Sequence, residues 1–268
     1  MAVTFVVVPQ WQGSGSARAM QLVDGAEAIL GDLPAASTRR IEVPLEAGDA
    51  EGTGILRHSS LRLVRERIEQ ELAELDGPAV LVGGDCGVDH AGVVRSAAGG
   101  PVALLWLDAH ADANSPATSS SHAFHGMVLR ALVEEGVVPA DRVVLAGTRA
   151  WDDAEAEWAR AAGVRTVDIE GLRAGDPLAE ALAATGAARV HIHVDLDVLD
   201  PGELAGLDFP EPFGLSVAEL VAAIGVAAQG RELAGAAITE FSPASPAAAG
   251  DDLGAILRIV GALARTAR

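Results

Sequence analysis

The chain has 268 residues, 50% of them hydrophobic and 21% charged, with 38 acidic side chains against 19 basic ones and a formal net charge of −19 at pH 7. That length suits one large α/β unit. The mean hydropathy is +0.28, yet the longest apolar runs, such as 102–107, are far too short to cross a bilayer. So acidic a surface repels phosphate backbones and anionic lipid, which argues against nucleic-acid and membrane partners.

Residue usage is uneven. There is no Lys and no Tyr, every basic residue is Arg, and Asn114 and Cys86 are the sole members of their types. A single Cys cannot build a disulfide framework and fits a reducing compartment. Met1-Ala2-Val3-Thr4-Phe5 has no basic region of the kind that opens a signal peptide, so a cytoplasmic location is expected.

In chain order, short β-branched runs at 4–8, 40–43, 79–82, 102–107, 143–146, 165–168, 190–194 and 236–239 read as strands. Longer Ala/Leu/Glu/Arg stretches between them read as helices, among them 17–30, 60–75, 126–135, 153–162, 217–228 and 252–264. Strands that are nearly continuous apolar runs are those of a parallel sheet covered on both faces. The alternation predicts a three-layer αβα fold with no linker, so that residues 1–268 form a single catalytic domain.

Four polar segments each follow a predicted strand: Gly83-Gly84-Asp85-Cys86, the run Asp108-Ala109-His110-Ala111-Asp112-Ala113-Asn114, Asp195-Leu196-Asp197, and Glu240-Phe241-Ser242-Pro243. In an open parallel sheet that edge is where ligands bind, so the four segments predict one site. Asp108, His110 and Asp112 alternate, as do Asp195 and Asp197, and a spacing of two in an extended segment puts side chains on one face. Carboxylates beside buried strand ends are costly unless protonated, paired or coordinated. Neither segment contains a Lys or an Arg, which leaves divalent metal as the natural counter-charge; four Asp and a His suffice for two ions.

These motifs, in this order and over about the whole chain, resemble those of the ureohydrolases, the family of arginase, agmatinase and formiminoglutamase. The resemblance implies an eight-stranded, mainly parallel, arginase-like sheet and a dimanganese hydrolase acting on linear amidines. It implies that one metal is held by Cys86, Asp108, Asp112 and Asp195, and the other by His110, Asp108, Asp112, Asp195 and Asp197. His125 would protonate the departing amine, Glu240 would pair with the guanidinium, and Asp112 belongs to the same catalytic set. Cys86 departs from the family, whose usual residue there is His; a thiolate is a softer ligand than manganese prefers. His90, one helical turn on, is the alternative source of an imidazole. His58, His122, His191 and His193 read as structural.

The resemblance further implies that Asn114 and Ser121 hold an α-carboxylate and that Asp152 lies near an α-amino group, so the expected ligand is a small guanidino amino acid rather than agmatine. Leu207-Asp208-Phe209-Pro210 and Ala123 differ from plain arginases near the reacting end. With Cys86 they point to the branch that hydrolyses Nω-hydroxy-L-arginine in antibiotic biosynthesis, giving L-ornithine and hydroxyurea. L-Arginase is the alternative, and a metal-poor, non-catalytic ligand-binding relative is the alternative of another class. Family members often form trimers or hexamers, so a homo-oligomer is the expected protein partner. Replacing Cys86 by His is expected to tighten manganese retention, checked by the metal content of the two forms after dialysis; equal contents would count against a weakened ligand at Cys86.

Overall fold

The computed structural model describes residues 3–267. Among these residues eight strands form one sheet: β1 (Thr4–Val7), β2 (Thr38–Arg40), β3 (Ala79–Val82), β4 (Ala103–Leu107), β5 (Val143–Ala146), β6 (Arg165–Val167), β7 (Arg189–Asp195) and β8 (Glu232–Thr239). Their order is β2-β1-β3-β8-β7-β4-β5-β6. Every pairing is parallel, so the sheet is entirely rather than mainly parallel. The edge strand β2 falls two residues before the expected 40–43. Its ladder ends with the bond from Ile41 N to the Val7 carbonyl, shortly before Pro44.

Among the described residues, nine α-helices flank the sheet: α1 (Gln21–Asp32), α2 (His58–Ala73), α3 (Asp89–Ala98), α4 (Val128–Glu134), α5 (Asp153–Ala162), α6 (Ile169–Ala174), α7 (Asp176–Ala184), α8 (Val217–Ala228) and α9 (Ala249–Thr266). Three of them, α3, α6 and α7, are not among the helices named from sequence. They are short, and glycines at 92, 171 and 175 dilute their apolar periodicity. Helices α1, α6, α7, α8 and α9 cover one face and α2 to α5 the other.

Strand alternation decides what each face receives. Ala103, Leu105 and Leu107 of β4 and Val190, Ile192 and Val194 of β7 pack into the larger core under α1 and α6 to α9. Leu104 and Trp106 turn to the opposite side. His191 and His193 of β7 turn there too, toward Asp89 and Ser96 of α3. The central strands β3, β8, β7 and β4 therefore present their carboxyl ends side by side.

The turn after β3 needs its two glycines. Gly83 and Gly84 have φ of +81° and +77°, and a Cβ on Gly83 would lie 2.5 Å from Ala26 Cβ, while one on Gly84 would lie 2.6 Å from the Val8 carbonyl oxygen. This tight turn drops Asp85 and Cys86 onto the carboxyl edge, where the Gly84 carbonyl accepts from Glu240 N at 2.9 Å.

Candidate metal centre and substrate cleft

The four polar segments converge on a cleft of about 330 Å³ lined by His110, Asp112, Asn114, Ser121, His125, Asp152, Asp195, Asp197 and Glu240, with Trp151, Glu155 and Phe209 completing its walls. Cys86 and Asp108 lie beneath it, 1% and 0% exposed. The structure thus brings together all eleven side chains singled out from sequence, while His90 turns away. Its Nε2 faces Glu135 Oε2 at 2.9 Å and its ring packs near Phe124.

Three of the aspartates and Glu240 are aimed by N–H donors. Asp108 Oδ1 accepts from His110 N at 2.6 Å and its Oδ2 from Trp106 Nε1 at 3.0 Å. Asp195 Oδ1 accepts from Asp197 N at 2.8 Å, and Asp197 Oδ1 from Ala109 N at 3.0 Å, which ties the β4 and β7 loops together. Asp197 Oδ2 faces His110 Nδ1 at 2.8 Å. Cys86 Sγ donates to Asp195 Oδ2 at 3.1 Å, and Cys86 N to Glu240 Oε1 at 3.1 Å. Asp112 and Glu240 both occupy the left-handed region, with φ of +49° and +64°, a conformation non-glycine residues hold only when their surroundings impose it.

Among the described residues no arginine side chain pairs with Asp108, Asp112, Asp195 or Asp197, and only His110 brings positive charge to them. Arg149, the nearest arginine, spends its guanidinium on the carbonyls of Asp197, Leu199 and Glu211. Burial, reinforced by Asp108, pushes Asp112 well above the usual carboxylate range; burial and Asp197 do the same to Asp195 and raise Asp108. Burial, then Asp195, pushes the Cys86 thiol up. His110 moves the other way: burial opposes its charge, but Asp108 and Asp197 outweigh it and hold the imidazole up to about 12. Asp112 Oδ2 and Glu240 Oε2 are buried without any hydrogen-bond partner. Buried, mutually repelling oxygens with unfilled acceptor positions suit hard divalent cations. Donor atoms gather within 4.8 Å of one another in three sets: Cys86, Asp108, Asp112 and His193; Cys86, Asp195 and Glu240; and Asp108, His110 and Asp197.

The remaining lining residues are fixed by neighbours. Glu240 Oε1 stands 3.6 Å from His125 Nδ1, and His125 is raised because Glu240 overcomes the burial that opposes its charge. Asn114 Nδ2 donates to Asp152 Oδ2 at 2.9 Å, while its Oδ1 accepts from Thr118 at 2.8 Å. Ser121 Oγ faces Ser119 Oγ at 3.2 Å and accepts from Ala123 N. Glu155 Oε2 accepts from Asp152 N and Oε1 from Ala113 N, joining the start of α5 to the loop after β4.

Sequence reasoning gave no role to Asp85, Glu155 or Arg149. Asp85 is fully buried and accepts from Gly13 N, Gln10 Nε2 and Gly87 N, anchoring the loop after β1 over the site. Burial, then Glu240, holds its carboxyl at about 6. Its place directly after Gly83-Gly84 was the available signal.

A model of the arginase family matches residues 17–261. The chain is 35% identical over 149 residues to the guanidinobutyrase of Pseudomonas aeruginosa, covering 54% of this chain and 46% of that protein. It is 34% identical over 170 residues to the Nω-hydroxy-L-arginine amidinohydrolase of Streptomyces lavendulae, covering 60% and 59%. These matches therefore span about half the length of either relative. The crystal structure of Entamoeba histolytica arginase superposes with a TM-score of 0.84 at 18% identity, over 97% of each chain, and shares the fold.

A stability consequence follows for the metal-free protein. Asp85, Asp108, Asp112 and Asp195 are raised in the folded state, so it binds more protons than the unfolded chain once pH exceeds the ordinary aspartate value of 3.8. Their contribution is lost as pH rises through the folded values, that of Asp85 being about 6. His110 adds a loss of the same sign from its ordinary value of 6.5 upward. The melting temperature of chelator-treated protein is expected to fall between pH 5 and pH 8, and manganese is expected to restore it. A Tm that rises across that window without metal would contradict the uncompensated cluster. With its fold, its carboxyl-edge site and the family match over 17–261, the chain belongs to the arginase family of ureohydrolases.

Proposed function

We propose that the protein is a dimanganese amidinohydrolase that cleaves Nω-hydroxy-L-arginine into L-ornithine and hydroxyurea. The observation that carries the reading is one cleft lined both by the carboxylate cluster and by Asn114, Ser121 and Asp152. The Asn114 amide and Ser121 hydroxyl suit an α-carboxylate, and the Asp152 carboxylate suits an α-ammonium. Agmatine offers neither group and would leave all three unpaired, a strong basis for discrimination.

The reacting end favours a hydroxyguanidine. Phe209, from the loop that departs from plain arginases, sets its ring 5.2 Å from that of His125 and 6.3 Å from that of His110. Asp208 pins this loop by accepting from Ser16 Oγ and Arg18 Nη2. An apolar wall tolerates the less basic hydroxyguanidine better than a permanently charged guanidinium. The 34% identity to the Streptomyces lavendulae amidinohydrolase supports the same choice. L-Arginine is the competing substrate, since it carries the same amino-acid head.

Two divalent ions, when bound, neutralise the carboxylates and supply an activated water at neutral pH. Asp108, His110, Asp112, Asp195, Asp197 and Cys86 would hold them. Glu240, with Oε1 fixed by Cys86 N, keeps Oε2 free to accept N–H bonds from the hydroxyguanidine and orient it. Asp112, whose carboxyl burial and Asp108 hold well above the usual range, accepts a proton from the attacking water. His125, held toward its charged form by Glu240, gives a proton to the δ-nitrogen as its bond to the guanidino carbon breaks. Water oxygen ends on that carbon, and hydroxyurea and ornithine leave.

Release of L-ornithine from Nω-hydroxy-L-arginine and L-arginine, and of putrescine from agmatine, by manganese-loaded protein tests the assignment. Hydroxyarginine is expected to have the highest kcat/KM and agmatine the lowest. Asp152→Ala is expected to raise KM for both amino acids about 10- to 100-fold, the loss of a charged hydrogen bond, with little change for agmatine. A wide preference for L-arginine would replace the first reading with arginase. Protein that retains no metal after manganese loading would support the non-catalytic relative.

A further inference from the structure

Resting on the dimetal reading above, we propose that His193 of β7 is a ligand of the ion beside Cys86, and that Asp89 is the carboxylate that orients it. His191, His193 and Asp195 alternate along β7 and so share one face of the strand. Asp195 reaches the cluster from the strand end; His193 lies one step beneath it, fully buried. A donor atom of His193 lies within 4.8 Å of donor atoms of Cys86, Asp108 and Asp112.

The ring is held as a metal-binding imidazole is held. His193 Nδ1 faces Asp89 Oδ2 at 2.9 Å, and the same buried carboxylate faces His191 Nε2 at 3.0 Å from each oxygen. An ionised carboxylate only accepts, so Nδ1 carries the proton and Nε2 keeps its lone pair. Metal-ligating histidines usually donate their other ring N–H to a carboxylate, and that hydrogen bond fixes tautomer and orientation. Trp106 stacks on the ring at 3.4 Å and 5°, locking its plane, while Trp106 Nε1 holds Asp108. The neighbour of Nε2 is the Thr239 hydroxyl at 3.5 Å, which in turn lies 3.5 Å from Cys86 Sγ, so Nε2 looks toward the thiol. Asp112 Oδ2, buried and unpartnered in the same set, is the open acceptor that a cation there would fill.

His193 thereby brings an imidazole from the strand to the end of the site where the loop after β3 offers sulfur. His90 cannot do so, being turned to Glu135. The sequence signal was the spacing of two between His193 and Asp195, masked by the apolar strand around it.

His193→Asn keeps an amide N–H for Asp89 and removes Nε2. Manganese bound per chain, counted from the free-ion EPR signal, is expected to fall from two to one in this variant, with far-UV circular dichroism unchanged. Manganese-edge X-ray absorption of the wild type, which needs no variant, is expected to count two imidazole rings per dimetal centre, from His110 and His193. Two ions retained in His193→Asn at wild-type affinity, or one imidazole in the wild type, would overturn the proposal while leaving the dimetal reading standing. A wild type that binds no manganese would overturn both.

Discussion

Four aspartates buried at the carboxyl ends of β4 and β7, with only His110 and no arginine among the described residues to offset them, set the terms for the rest of the molecule. Asp108, Asp112, Asp195 and Asp197 are each less than 5% exposed. The chain contains no Lys, and the closest guanidinium, on Arg149, is committed to backbone carbonyls. Isolated buried charge of this density is prohibitive, and the protein relieves it only in part through His110 and backbone amides. The remaining negative charge suits hard divalent cations. Metal affinity and metal-free stability are therefore two readings of the same charge.

The surrounding architecture makes sense as the means of holding that charge in place. A wholly parallel sheet puts the carboxyl ends of β3, β8, β7 and β4 next to one another. The two-glycine turn after β3 brings Cys86 N to Glu240, and left-handed backbone at Asp112 and Glu240 aims their side chains inward. Such strain survives because the neighbours over-determine it: the Asp112 carbonyl accepts from Leu129 N, and Glu240 N donates to Gly84. Beneath the floor, Asp89, His191 and His193 form a second polar layer inside the α2 to α5 side of the core, where apolar packing would otherwise be expected.

The central strands were readable from their apolar runs because burial on both faces leaves a signature that tolerates little else, whereas the exposed edge strand β2, Thr38-Arg39-Arg40, carries no such run and was expected too late in the chain. The alternating Asp and His residues were readable because a spacing of two has one structural meaning at a strand end. Short helices such as α3 and α7 were not, since a few small residues and glycines carry no clear period. Asp85, Glu155 and Arg149 were missed for a different reason: each acts by bonding backbone groups far away in sequence, and no local pattern records that. His193 lay in plain view two residues before Asp195, but a histidine inside an apolar strand reads as core until its partner Asp89 is placed opposite.

The substrate end depends on finer features than the metal floor. Asn114 and Asp152 are bonded to each other, and Phe209 leans on both His125 and His110. Both sets of contacts line the cleft above the carboxylate floor, and the proposed hydrolysis requires that floor to carry two cations. Anomalous diffraction at the manganese edge from manganese-soaked crystals tests that requirement most directly. Two peaks are expected in the floor of the cleft; the absence of any peak among Cys86, Asp108, His110, Asp112, Asp195 and Asp197 would contradict it.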